Sequence, residues 1–123
     1  MKTLFLFLIL LVTGSAWAEW VLVAEGNTSS YYLDPSTIRK DGDLRKVWAV
    51  ISLDERGKEG ELSLRTRNEF DCREERYRVL ALSYHTETMG TGLMIHNFNQ
   101  SSKWMDVAPR TLDEKALKFV CSK

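Results

Sequence analysis

Residues 62–72 read Leu-Ser-Leu-Arg-Thr-Arg-Asn-Glu-Phe-Asp-Cys, and they give the clearest indication of the fold. Its side chains alternate between mainly apolar and mainly charged, which is the period-two pattern of a β-strand buried on one face. Only Asn68 interrupts the apolar face. The pattern predicts a buried face made of Leu62, Leu64, Thr66, Phe70 and Cys72, and a solvent face made of Ser63, Arg65, Arg67, Glu69 and Asp71.

The chain turns back shortly after this strand, and residues 76–84 are predicted to form its antiparallel partner. In the simplest register, Glu69 faces Arg78 and Asp71 faces Arg76. Such cross-strand ion pairs contribute only about 0.2–1 kcal/mol each, but they favour this register over its neighbours.

Other strands are predicted on both sides of the hairpin, because short runs rich in β-branched and aromatic residues alternate with turn residues. Pro35 ends one of them, since proline donates no backbone hydrogen bond. Gly90-Thr-Gly92 is interpreted as a tight turn rather than a phosphate-binding loop, because no helical pattern follows it. The additional predicted strands are residues 20–25, 30–33, 44–53 and 93–98, and residues 104–107 form at most a last short strand.

The C-terminal residues follow a helical pattern. Thr111-Leu-Asp-Glu114 fits a capping box, in which the threonine and glutamate side chains each accept a backbone N–H at the start of a helix. We therefore predict an α+β fold, with an antiparallel β-sheet of about five to six strands and a C-terminal α-helix. The apolar face of this helix is predicted to contain Leu112, Ala116, Phe119 and Val120.

The composition indicates one small globular domain, predicted to extend over residues 19–123. The 123 residues are 44% hydrophobic and carry 17 Lys+Arg against 17 Asp+Glu. This balance excludes a disordered chain and argues against a nucleic-acid-binding protein. Two cysteines are too few for a four-thiolate zinc site, and no cofactor is predicted.

The first 18 residues, 1–18, have the features of a secretory signal peptide. Lys2 precedes an unbroken apolar run at residues 4–12, and Ala16-Trp-Ala18 supplies the small residues that signal peptidase reads. The run is shorter than the roughly 20 residues of a membrane-spanning helix, so no transmembrane helix is expected after cleavage. Because no cysteine lies near the cleavage point, the exported protein is expected to be periplasmic or secreted and not lipid-anchored.

Export bears on the state of the two cysteines. Outside the cytosol Cys72 and Cys121 can pair, and only one connectivity exists. The bond would tie the helix to the sheet, and the chain-entropy model assigns about 4 kcal/mol to a loop of about 50 residues. The alternative is two free, buried thiols.

No catalytic residue or metal ligand is predicted. The two histidines, His85 and His96, lack the spacing of a metal-binding motif. No Gly-x-Ser-x-Gly nucleophile motif occurs, and both cysteines are expected to be oxidised. An enzyme or small-ligand carrier is a minor alternative, which a deep pocket joining a histidine to carboxylates would favour.

Four arginines are candidate partner-binding residues. Arg65 and Arg67 lie on the solvent side of one predicted strand, and Arg76 and Arg78 can join them from the next. Together they would form a basic face for an acidic partner, such as a glycosaminoglycan or an acidic protein loop. The alternative is a solvated face on which arginines and interleaved acidic residues neutralise one another.

Aromatic residues provide the other candidate contacts. Tyr31 and Tyr32 are adjacent in a predicted strand and therefore point to opposite faces. One of the two is expected to be exposed and available for recognition. Trp48 lies inside a dense apolar strand and is expected to belong to the core.

Several short blocks, taken in order, resemble the surface-adhesin protein E family of small exported proteins of Gram-negative bacteria. The resemblance extends over essentially all of residues 19–123. It depends on the order and spacing of Tyr31–Arg39, Val47-Trp48, Glu69–Cys72, Arg76 and Arg78, Met89–Gly92, Trp104, Val107–Pro109 and Val120-Cys121.

The resemblance implies an antiparallel sheet tied to a C-terminal helix by the family's disulfide, Cys72–Cys121. It also implies an adhesin that binds host extracellular-matrix and plasma proteins and can form a homodimer. The leading hypothesis is therefore an exported, non-enzymatic module that binds a protein or matrix partner through its sheet surface or edge. The alternative is a periplasmic structural or envelope protein that self-associates and has no host ligand.

The signal-peptide interpretation makes a direct prediction about the exported protein. Its intact mass should correspond to a chain that begins at Glu19, because signal peptidase cleaves after the Ala16-Trp-Ala18 motif. Mass spectrometry of protein purified from the cell envelope or the medium measures this. A mass that still includes residues 1–18 would contradict the export argument.

Overall fold

The structure is a computed structural model that describes residues 19–123, and the predicted signal peptide at residues 1–18 lies outside the described residues. The described chain forms an eight-stranded antiparallel sheet and one C-terminal α-helix. The elements are β1 (Val21–Glu25), β2 (Ser29–Leu33), β3 (Arg39–Asp41), β4 (Leu44–Leu53), β5 (Ser63–Asp71), β6 (Arg76–His85), β7 (Met94–Phe98), β8 (Met105–Asp106) and α1 (Leu112–Cys121).

Six strands form the main path of the sheet, in the order β1-β2-β4-β5-β6-β7. This arrangement, with its C-terminal helix, confirms the predicted α+β fold. The short strands β3 and β8 pair with β4 and β6 outside that path. The sequence did not indicate β3, because all three of its residues are polar and exposed and give no period-two signal.

The central hairpin has the predicted register near its turn. Strand β5 pairs with β4 on one side and with β6 on the other. Glu69 lies opposite Arg78, and Asp71 lies opposite Arg76. The prediction for these two cross-strand pairs is therefore confirmed.

A one-residue bulge changes the register farther along β6. Val79 pairs with Asn68 and Ala81 pairs with Arg67, so Leu80 has no partner in β5. A bulge of this kind bends the strand and shifts every pair beyond it by one position. As a result Ser83, on β6, lies opposite Arg65.

Helix α1 covers one face of the sheet and closes the main core. The buried cluster beneath it contains Ala24, Tyr31, Leu33, Val47, Ala49, Phe70, Ala116, Leu117 and Val120. Asn68, the polar interruption of the apolar pattern, is also buried and donates to the hydroxyls of Tyr31 (2.7 Å) and Thr66 (3.1 Å). These partners explain why an amide is tolerated there, since buried polar groups require hydrogen bonds.

The two ends of α1 are fixed by different interactions. The Thr111 hydroxyl accepts the N–H of Glu114 (3.2 Å), as the capping motif predicts, but the Glu114 carboxylate accepts the N–H of Arg110 (3.4 Å) instead. At the other end Cys121 is bonded to Cys72 with a Cα–Cα distance of 5.8 Å. The predicted tie between helix and sheet is confirmed. Within residues 19–123 the structure contains no candidate membrane-spanning helix.

The disulfide should provide a large part of the stability of this small domain. Cys72→Ser is expected to lower the free energy of unfolding by about 4 kcal/mol, because the unfolded chain loses a crosslink. Urea unfolding with and without reductant measures the effect. The control is the Cys72→Ser/Cys121→Ser variant, which should not respond to reductant, and equal midpoints for oxidised and reduced wild type would contradict the prediction.

Candidate functional site

The face of the sheet opposite α1 carries all four predicted arginines. Arg65 and Arg67 project from β5, and the pairing of Asp71 with Arg76 and of Glu69 with Arg78 places the β6 arginines on the same face. We call this surface the arginine–tryptophan face. It consists of Arg65, Arg67, Arg76, Arg78, Trp48 and Trp104.

Arg76 and Arg78 are held by buried acids. The Arg78 guanidinium donates to the Glu69 carboxylate at 2.6 and 2.8 Å, and Arg76 donates to Asp71 at 3.1 Å. The side chain of Glu69 is only 4% exposed, whereas that of Arg78 is 33% exposed. These two arginines are therefore neutralised and fixed in orientation.

Trp104 stacks on the same two arginines. Its ring centre lies 4.6 Å from the guanidinium carbon of Arg76 and 4.5 Å from that of Arg78. Strand β8 holds the ring in place by pairing with β6, and the backbone of Ser102 donates to the Val79 carbonyl (2.8 Å). The sequence did not identify Trp104 as a site residue, because only the return of the chain to β6 brings it beside the arginines.

Arg65 and Arg67 form the unpaired part of the face. No carboxylate of residues 19–123 lies within ion-pairing distance of either guanidinium. Arg65 is exposed and stacks on the Trp48 ring at 4.7 Å from its centre. Its charge is therefore available to an incoming group.

Two predictions about the location of aromatic residues need correction. Trp48 was expected in the core, but it lies half-buried on the arginine–tryptophan face, opposite Arg67 in the register. Tyr31, a predicted partner contact, is 3% exposed beneath the helix, where burial raises the pKa of its hydroxyl. Tyr32 is half-buried. It lies on the same face as Arg65, because both residues are paired with Val50 in the sheet.

The predicted solvent face of β5 is also less open than expected. Ser63, Glu69 and Asp71 are buried. The turn at Thr88–Gly90 lies against Ser63, and Trp104 stacks on the two arginines that pair with Glu69 and Asp71. The Ser63 hydroxyl accepts the N–H of Gly90 (2.8 Å), which holds that turn against the strand. The face therefore has open and covered parts, a difference that alternation in the sequence cannot show.

The Asp71 carboxylate anchors the hairpin turn as well as Arg76. Burial alone would raise the pKa of Asp71, but the N–H of Glu74, the Arg76 guanidinium and the N–H of Arg73 all donate to the carboxylate and hold its pKa below the ordinary value. Both backbone hydrogen bonds are 3.1 Å long. A charged Asp71 is therefore part of the folded state near neutral pH.

The histidines do not come together. His85 is buried and interacts with the Ser83 hydroxyl through Nε2 (2.8 Å), and burial together with the charge of Arg65 lowers the pKa of its ring. His96 instead contacts Glu59 (3.2 Å) and the Tyr84 ring. Within residues 19–123 there is no group of three or more His, Cys, Asp or Glu side chains that could hold a metal ion.

Comparison with known proteins identifies the family. The family profile described as surface-adhesin protein E matches residues 20–122. The chain belongs to the surface-adhesin protein E family. No curated protein sequence matches this chain.

Solved structures of Haemophilus influenzae protein E have a similar fold. Crystal form II of Haemophilus influenzae protein E superposes with a TM-score of 0.69 at 18% identity, covering 86% of this chain and 89% of that one. Protein E from non-typeable Haemophilus influenzae gives a TM-score of 0.65 at 19% identity, covering 86% and 77%. At this level of identity the comparison shows the fold alone.

The buried ion pair on the face can be tested by stability measurements. Arg78→Ala should lower the free energy of unfolding by about 1–3 kcal/mol, because the buried Glu69 carboxylate loses its donor. Arg67→Ala is the matched control on the neighbouring strand and should change the stability by about 0.5 kcal/mol or less. Urea unfolding curves of the two variants give the comparison, and equal losses would show that the Arg78 pair has no special role.

Proposed function

We propose that this protein is an exported, non-enzymatic binding module that binds an acidic protein partner of the extracellular-matrix type through the arginine–tryptophan face. One observation carries the proposal. Arg65 and Arg67 have no acidic partner within residues 19–123, beside a tryptophan and two arginines that are already fixed. Tryptophan and arginine are the side chains that most often dominate binding energy at protein interfaces.

The arrangement of the face supports recognition. Ion pairs with Glu69 and Asp71 and stacking on Trp104 hold Arg76 and Arg78 before a partner arrives. Binding to such a surface loses less side-chain entropy than binding to free arginines. The unpaired arginines then supply the charge that selects an acidic partner.

Several features favour binding over catalysis. The histidines lie apart, and both cysteines are joined in the disulfide. Membership of an adhesin family points in the same direction. We therefore assign no catalytic residue to this protein.

We propose a location in the periplasm or outside the cell, without a lipid anchor, after removal of the signal peptide at residues 1–18. The disulfide supports this location, since such bonds persist in oxidising compartments. Protease treatment of intact cells distinguishes a surface-exposed protein from one retained in the periplasm. That distinction decides which partners the face can reach.

A charge-reversal experiment tests the proposed face. The purified protein is measured for binding to an immobilised extracellular-matrix extract, and Arg65→Glu/Arg67→Glu should weaken binding by at least about tenfold because it reverses the two unpaired charges. The control is Lys115→Glu/Lys118→Glu, an equal change at two exposed positions on α1. Equal loss in both variants, or no binding by wild type, would contradict the proposal.

A second candidate function is self-association, and the far edge of the sheet favours it. Strand β7 ends the main path, and Leu93, Met94 and Phe98 are 76%, 56% and 51% exposed along this edge. Exposed apolar residues on a strand whose outer edge pairs with no other strand of residues 19–123 suit the addition of a strand from a second copy. Sedimentation showing a dimer, together with no binding to the matrix extract, would favour this alternative.

A further inference from the structure

A small cleft opens on the arginine–tryptophan face, between the stacked pair Trp48–Arg65 and strand β7. Its volume is about 190 Å³, below the roughly 300–1,000 Å³ of typical small-molecule sites. Four successive strands of the sheet contribute to it. The residues that matter for its chemistry are Trp48, Arg65, Ala81, Ser83, His85 and Met94.

The bulge at Leu80 helps to assemble this cleft. Beyond the bulge, Ser83 lies opposite Arg65 on one side and opposite Asn97 of β7 on the other. Without the extra residue the register of β6 would shift by one position, and the Ser83 side chain would point to the other face of the sheet. The cleft therefore depends on a feature of the fold rather than on a flexible loop.

The walls of the cleft combine apolar surface with unused hydrogen-bonding capacity. Trp48 and Met94 provide the apolar part. Arg65 provides a guanidinium with no carboxylate partner within residues 19–123. His85 is 6% exposed, and its Nδ1 atom has no hydrogen-bond partner in the part of the chain that the structure describes.

An unpartnered buried nitrogen is unusual in a folded protein. Buried polar atoms nearly always have a partner, and leaving one without a partner is destabilising. His85 and Ser83 already bond to each other through Nε2 and the hydroxyl, so Nδ1 is the ring nitrogen of His85 that lacks a partner within residues 19–123. Such a wall, beside a free guanidinium, is suited to a polar occupant.

We propose that this cleft binds the carboxylate side chain of a single glutamate or aspartate from an extended acidic segment of the protein partner. The proposal rests on the proposed function and names the group that is recognised. The guanidinium of Arg65 would donate to both carboxylate oxygens, the geometry for which arginine is best suited. The methylene groups of the occupant would pack on Trp48 and Met94.

The charge of the chain favours an acidic peptide over a sulfated polysaccharide. A polyanion binds best to a long stripe of unpaired positive charge, but Arg76 and Arg78 are neutralised by Asp71 and Glu69. The whole chain has a formal net charge of zero. A cleft with a single free guanidinium matches one carboxylate.

Short defined peptides test the cleft directly. The probes are acetyl-Gly-Ser-Glu-Ser-Gly-amide and the same peptide with glutamine in place of glutamate, titrated into the purified protein. NMR follows the indole N–H of Trp48 and the ring of His85. The glutamate peptide should give saturable shifts of both signals, and the glutamine peptide should bind at least about tenfold more weakly, since it cannot form the ion pair.

Two variants and one matched control locate the binding. Arg65→Lys should lower the affinity for the glutamate peptide by about tenfold, because lysine has no planar fork. Arg73→Lys is the same change at an exposed arginine outside this face, and it should alter the affinity less than about twofold. Ala81→Leu keeps every charge but fills the cleft, and it should abolish the shifts. Equal affinities for the two peptides, or binding unaffected by Ala81→Leu, would overturn the proposal.

Three further outcomes separate the cleft proposal from the proposed function. A heparin-type oligosaccharide could bind more tightly than the glutamate peptide, with an affinity that Ala81→Leu does not change. That result would assign the face to polyanions and overturn the cleft proposal. If Arg65→Glu/Arg67→Glu abolishes matrix binding but the peptides are not distinguished, the cleft proposal fails and the binding function stands. If the peptides are distinguished but no variant affects matrix binding, the cleft stands and the proposed function fails.

Discussion

Strand β5 pairs with β4 on one side and with β6 on the other. The register of these two pairings determines which side chains lie on the arginine–tryptophan face. Because successive side chains of a strand point to opposite faces, one register sends Phe70 and Asn68 under the helix and Arg65 and Arg67 to the opposite face. A slip by one residue would exchange these sets. The ion pair of Glu69 with Arg78 and the disulfide at Cys72 both oppose such a slip.

The two faces of the sheet are stabilised by different interactions. The helix-covered face contains the main hydrophobic cluster, and the disulfide holds the helix there. The other face buries polar groups and satisfies them locally, as with Glu69 and Asp71. A small domain has little apolar surface to bury, so concentrating the core on one side allows the other side to present arginine and tryptophan.

Features that depend on local sequence pattern were predictable from the sequence. Features that depend on contacts between segments distant in the sequence were not. Alternation identified β5, and two cysteines allowed one bond, so the α+β fold and the helix-to-sheet tie were predictable. The burial of Ser63 was not, because a turn some 27 residues away covers it. Trp104 was missed for the same reason. Of two adjacent tyrosines, only packing of the helix shows that Tyr31 is the buried one.

The neutralisation of Arg76 and Arg78 also affects how quickly a partner can associate. Electrostatic attraction between exposed charges is screened beyond about 8 Å at physiological ionic strength, and two compensated arginines add little to it at longer range. With a formal net charge of zero, the protein gains little diffusional steering. Its association rate constants should be about 10⁵–10⁶ M⁻¹s⁻¹, the values typical of protein pairs without electrostatic steering. The lifetime of the complex, rather than the speed of encounter, would then determine how tightly a partner is held.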